Sequence, residues 1–132
     1  MLLNKSILDE LTIKAKSSPR LRMNYNLHET SEDSVQRMLN AIEPGSTIPI
    51  ARHNEVNESL ILLRGKLRVL IYDENGSFSE DYVLDISQGN FGCHIPKGVW
   101  HSVESLESGT VMFETREGPY VPLSEKDVLK IN

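Results

Sequence analysis

The spacing of apolar positions changes period along the chain, and each change predicts a different element. Between Lys5 and Lys16 the apolar residues Leu8, Leu11 and Ala15 fall on one stripe of a helix. Ser17-Ser18-Pro19 ends it, because proline disfavours helical backbone in the residue before it. Residues 20–28 then alternate, with Leu21, Met23, Tyr25 and Leu27 on one face and Arg20, Arg22, Asn24, Asn26 and His28 on the other, the signature of a half-buried strand. Val35, Met38, Leu39 and Ile42 keep helical spacing, so a second helix is predicted, capped by Thr30 or Ser31 and stopped at Glu43-Pro44-Gly45.

From Gly45 onward the pattern is that of short strands and turns. Leu60 to Leu63 and Leu67 to Tyr72 are apolar runs separated by Arg64-Gly65-Lys66, and Asp73-Glu74-Asn75-Gly76 carries the Asn-Gly pair of a tight hairpin. Further strands are expected after that turn, over Phe91 to Ile95, Val99 to Glu104 and Thr110 to Thr115. Many strands with no intervening helix describe an all-β sandwich or barrel. At 132 residues the chain is long enough for one self-sufficient core. A single domain over residues 1–132 is expected: residues 1–44 packing on the barrel, 45–116 forming it, and 117–132 as a tail.

The formal net charge of -5 argues against a sequence-independent nucleic-acid binder, which needs a basic face to displace phosphate counterions. The first residues mix acids with apolar positions and lack a cleavage site, unlike a signal peptide, and no apolar run reaches bilayer length. No membrane partner is expected. One cysteine, Cys93, permits no intramolecular disulfide, so a reducing, cytoplasmic setting is the natural expectation. Cys93 itself reads as a small apolar residue with no base beside it.

Two stretches carry candidate chemistry, Ala51-Arg52-His53-Asn54-Glu55-Val56-Asn57-Glu58 and His94-Ile95-Pro96-Lys97-Gly98-Val99-Trp100-His101. Alternation puts Glu58 on a face with Leu60 and Leu62, where a carboxylate is costly to bury unless it is paired or binds a cation. His101 shares a face with Val99 and Val103. Imidazole and carboxylate donors together suit one divalent transition metal, such as iron, zinc, nickel or manganese, better than calcium. Polar residues at strand ends that are simply solvated are the plainer alternative. Arg20, Arg22 and His28 are candidates for binding an anionic group of a substrate, since arginine presents a fork matched to carboxylate or phosphate, and Trp100 is a candidate stacking platform for a sugar.

These stretches resemble the two motifs of the cupin superfamily. Gly45, five residues, Ala51-Arg52-His53, four residues, Glu58, six residues and Gly65 follow the first motif except at its leading histidine, where Ala51 stands; Pro96-Lys97-Gly98-Val99-Trp100-His101 follows the second. The chain is most similar to the WbuC-type cupin fold metalloproteins of surface-polysaccharide (O-antigen) clusters, through Arg20 to His28, Val35 to Asn40 and Phe113 to Tyr120.

The resemblance implies a double-stranded β-helix, or jelly-roll barrel, with a metal site of His53, Glu58 and His101. Ala51 cannot coordinate, and His94 is the candidate replacement ligand from another strand; the alternatives are Glu55, His28, a water that leaves a two-histidine, one-carboxylate site, or weakened binding. The resemblance implies no established reaction. Two functions are compatible with it: a metal-dependent isomerase, epimerase, lyase or oxygenase acting on a sugar-derived molecule, and a non-catalytic cupin that binds a sugar or sugar nucleotide as a regulator or scaffold. A homodimer is expected, because exposed strand edges need covering.

Overall fold

In the computed structural model, which describes residues 1–129, one helix and eight strands build two antiparallel sheets. Helix α1 runs from Lys5 to Ser17, with the Asn4 side chain accepting the Ile7 amide at its start. The strands are β1 (Arg22–Asn26), β2 (Val35–Ile42), β3 (Glu58–Arg64), β4 (Lys66–Tyr72), β5 (Phe78–Asp85), β6 (Gly92–Ile95), β7 (His101–Ser105) and β8 (Val111–Glu117). The larger sheet has the order β1-β2-β8-β3-β6 and the smaller β5-β4-β7. Among the described residues the two sheets remain separate, so the expected closed barrel is an open sandwich.

The second predicted helix is strand β2. It pairs with β1 through Asn24↔Asn40 and with β8 through Asn40↔Met112, so its backbone groups are satisfied between two neighbours. The misleading spacing has a physical origin. Both faces of this part of the sheet are covered, by the sandwich core inside and by α1 outside, so Met38, Leu39, Ala41 and Ile42 are all buried. A strand buried on both faces loses its alternation, and its apolar positions then match a helical template. Thr30, the proposed cap, instead hydrogen-bonds Asp33 within a turn.

The inner core joins Leu60 and Leu62 of β3, Leu67 and Val69 of β4, Leu84, Ile95, Val103 and Met112. A second cluster packs Leu11 and Ala15 of α1 against Leu39, Ala41 and Val111 on the outer face of the larger sheet. Arg64 fastens this layer, donating from Nη1 to Asp9 Oδ1 (2.6 Å), from Nη2 to Thr12 Oγ1 (3.0 Å) and from Nε to the Gly109 carbonyl (2.8 Å). The apolar inner core ends before the sandwich does. Along β2, β8 and β3 the inward positions turn polar at one end, with Gln36, Arg116 and Glu58 in register, and a cavity of about 1090 Å³ opens there.

Candidate functional site

Three strands and one loop bring the charged groups together. Glu58 is the first residue of β3 and points inward with Leu60 and Leu62, which leaves it 5% exposed. In the same register Glu58 stands opposite Arg116 of β8, and Leu60 opposite Glu114. His101 opens β7, and its backbone pairs with Ala51 in both directions, the two N–H···O distances being 3.0 and 2.9 Å. His53 lies on the loop before β3, where its carbonyl accepts the Gly98 amide at 2.7 Å. That hydrogen bond docks one sequence motif on the other.

His101 Nδ1 lies 2.9 Å from the Val99 carbonyl, which can only accept, so Nδ1 carries a proton and the lone pair of the neutral ring is on Nε2. Nε2 stands 2.5 Å from Glu58 Oε1, yet Oε1 is buried without a hydrogen-bond partner of adequate geometry. Lone pair facing lone pair at that separation is repulsive unless a positive charge intervenes. A second proton on His101 or a bound cation supplies it. Burial disfavours a charged His101, but the contact with Glu58 and its charge outweigh this and hold the imidazole above its ordinary pKa. Burial likewise works against an ionised Glu58, and His101, His53 and Arg116 together overcome it, keeping the carboxylate below its ordinary range.

His53 has a different environment. Its ring centroid is 6.3 Å from that of His101, and Arg116 Nη1 donates to its Nε2 at 2.8 Å. Burial lowers its pKa, and the neutral ring accepts a hydrogen bond from the guanidinium. Glu114 completes the cluster. It accepts from Asn40 Nδ2 at 3.2 Å, lies 3.8 Å from Arg116, and is pushed up to about 7 by burial and the charge of Glu58.

The shift on Glu114 makes stability depend on pH in a definite direction. In the unfolded chain this carboxyl titrates near 4.5, so the folded chain holds an extra proton between that value and about 7. The stabilisation is complete below the lower value and is lost as pH rises through the upper one. Glu114→Gln keeps the neutral shape and the acceptor for Asn40. Between about pH 5 and 8 the metal-free wild type is expected to lose on the order of 2 kcal/mol more than this variant in urea unfolding, and parallel pH profiles would contradict the assignment.

The sequence-derived candidates distribute unequally around this cluster. His53, Glu58, His101, Arg20, Arg22 and His28 all line the one cavity. His94 does not. Its partner in the β3–β6 ladder is Ser59, one residue from inward-facing Glu58, so its exposed ring lies on the opposite face and contacts Ser59 Oγ at 3.1 Å. Glu55 is exposed on the loop, and Trp100 is buried beneath Arg52, whose guanidinium carbon sits 4.3 Å from the ring centroid. The Cys93 thiol is pushed up to about 11 by burial and the charge of Glu58, which keeps it protonated. Glu114 and Arg116 were not singled out from the sequence as site residues. Their signal is a pair of charges at alternate, inward positions of a strand that begins with buried Val111 and Met112.

The residues present fit a cation in part. Glu58 offers an unsatisfied carboxylate oxygen and His101 an oriented Nε2, whereas His53 can join them only when Arg116 releases its Nε2. Among the described residues no three His, Cys, Asp or Glu side chains already converge at metal-binding geometry.

Residues 3–84, more than half of the chain, match the family described as "Domain of unknown function (DUF6016)". No curated protein matches in sequence. Among solved structures, a recombinant oxalate oxidase in complex with glycolate is similar at a TM-score of 0.62 and 18% identity, over 80% of this chain and 55% of the other. The cupin domain of Schizosaccharomyces pombe Cnp3 gives 0.59 and 14%, over 73% and 64%. KdgF from Halomonas sp. gives 0.58 and 13%, over 76% and 82%. The chain thus spans less than two thirds of the oxalate oxidase and Cnp3 chains it matches. The fold is that of a cupin domain, and the chain belongs to the DUF6016 family.

Proposed function

We propose that this DUF6016 protein is a small-molecule-binding cupin that holds one divalent transition metal on Glu58, His101 and His53 and acts on a sugar-derived ligand in the adjoining cavity. The observation that carries the reading is the buried Oε1 of Glu58 set 2.5 Å from the Nε2 of a histidine whose Nδ1 proton is held by the Val99 carbonyl, a pair that requires a positive charge between its members. When bound, the metal would act as a Lewis acid toward a ligand oxygen. The chain's own groups do the rest. Glu114, poised near neutrality, can give or take a proton inside the cavity, and Arg116 places a fixed positive charge beside it. Asn24, Asn26 and Asn40 line the same space and suit the hydroxyl groups of a sugar. The resemblance to WbuC-type proteins supports a role in surface-polysaccharide metabolism.

A second reading is favoured by the hydrogen bond from Arg116 to His53 and by Ala51. In it the Arg116 guanidinium and a doubly protonated His101 supply the positive charge of the cluster, and the protein is a metal-free binding module. Elemental analysis of the purified protein beside His53→Ala and His101→Ala separates the two. Near-stoichiometric iron, zinc, nickel or manganese in the wild type, falling in both variants, is the expected result. Equal metal content in all three, or none after reconstitution, overturns the metal reading in favour of the binding module.

A further inference from the structure

The cavity has a second end, along strand β1, whose chemistry differs from that of the Glu58–His101 end. Arg22, Asn24 and Asn26 alternate along that strand and line the cavity, with Arg20 and His28 just beyond its two ends. The side chains are held in place: Arg22 Nη1 donates to the Thr47 carbonyl at 2.7 Å, and Asn24 Nδ2 donates to Asn26 Oδ1 at 2.7 Å. Asn40, opposite Asn24 in the ladder, continues the amide row inward to Glu114.

Two guanidinium groups at this end have no acid to balance them. Arg52, Arg64, Arg68 and Arg116 each lie within 4.0 Å of a carboxylate. Among the described residues neither Arg20 nor Arg22 does, in a chain whose net charge is -5. Arg22 also feels the like charge of Arg20 in addition to its own partial burial. An anion between them would relieve that repulsion through charge-assisted hydrogen bonds. At the opposite end the one guanidinium, that of Arg116, already lies 3.8 Å from Glu114 and donates to His53.

We infer that the cavity binds a small organic anion end-on, its carboxylate or phosphate on Arg20 and Arg22, its hydroxyl-bearing body along Asn24, Asn26 and Asn40, and its uncharged end toward Glu58 and His101. This rests on the reading of the cavity as a ligand site and adds the class and direction of the ligand. Arg20 and Arg22 are positioning residues in this scheme, since they stand apart from the cluster that handles protons.

The experiment is calorimetric titration of the purified chain with glucose 1-phosphate, gluconate and glucose, repeated at raised salt, for the wild type and for Arg20→Gln, Arg22→Lys and the Arg20→Gln/Arg22→Gln double variant. At least one of the two anions is expected to bind about tenfold or more tighter than glucose, to weaken with salt, and to lose about tenfold or more in the double variant. Which anion binds better distinguishes a phosphate from a carboxylate. Arg22→Lys guards against loss of the Thr47 contact, because it retains the charge and is expected to keep part of the affinity. Binding of neither anion, glucose binding as tightly as both, or a folded double variant that binds like the wild type overturns the inference. Metal content measured on the same samples is expected to be unchanged by the arginine substitutions, so a failure of the metal reading registers separately.

Discussion

Ala51→His is expected to raise the affinity of the protein for zinc or nickel by on the order of a hundredfold, since even residues that only support a ligand are worth 10- to 100-fold and this change adds a ligand outright. Ala51 lines the cavity and is bridged to His101 through both of its backbone hydrogen bonds. Residues directly opposite in an antiparallel pair project their side chains to the same side. An imidazole at this position therefore enters beside His101 and completes a donor set that Glu58 and His101 begin. The added ligand also reduces the dependence of the site on His53, whose Nε2 is engaged by Arg116. The gain is measurable by titration of stripped protein or as a metal-dependent rise in Tm, where about a hundredfold in affinity corresponds to roughly 2.7 kcal/mol at saturating metal. An unchanged affinity in a folded variant would mean that the cluster does not gather around a cation at this place.

Gly65→Ala is expected to cost about 4 kcal/mol and to lower Tm by on the order of 10 °C. Gly65 sits between β3 and β4, where the chain leaves the larger sheet for the smaller, and its φ of +89° is one that other residues adopt only under strain. Space is the larger obstacle. A Cβ at this position would lie 2.6 Å from the backbone Cα of Thr110. Thr110 cannot move aside, because it is fully buried and its hydroxyl accepts the Lys66 amide at 3.1 Å and donates to the Glu107 carbonyl at 2.7 Å. Thermal unfolding checks this directly, and a Tm within a degree or two of wild type would show that the crossing tolerates a side chain. The penalty also gives the closing glycine of the first motif a structural reason independent of any ligand.

What the sequence disclosed and what it hid follow from the same physics. Helix α1 was legible because its apolar stripe faces a sheet on one side and water on the other, so Leu11 and Ala15 are buried while Ile13 is exposed. The turn at Asp73 to Gly76 was legible because its chemistry is local: the Asp73 side chain accepts the Asn75 and Ser77 amides, and Gly76 takes a φ of +80°. Strand β2 was misread because both of its faces are covered, a consequence of tertiary structure that single-chain periodicity does not record. Barrel closure was an expectation from resemblance, and the ladders leave the two sheets unjoined among the described residues.

The candidate site divides along similar lines. Glu58 and His101 stood out because each is a polar group at an inward position among apolar neighbours. Arg20, Arg22 and His28 stood out as the polar face of an alternating strand, and the fold brings that face to the same cavity. His94 lies outside it because register, which is set by pairing with β3, turns its side chain away from Glu58. Glu114 and Arg116 escaped notice because their strand carries both signs of charge, and only the register with β3 shows that Arg116 stands opposite Glu58 and Glu114 opposite Leu60.

The cation proposed on Glu58, His101 and His53 has a signature of its own in diffraction. Anomalous diffraction from crystals soaked with zinc, recorded on both sides of its absorption edge, would locate it. A single strong peak is expected within bonding distance of Glu58 Oε1 and His101 Nε2, with Arg116 withdrawn from His53. No peak in the cavity, with Arg116 still donating to His53 and a proton left to separate His101 from Glu58, would contradict it.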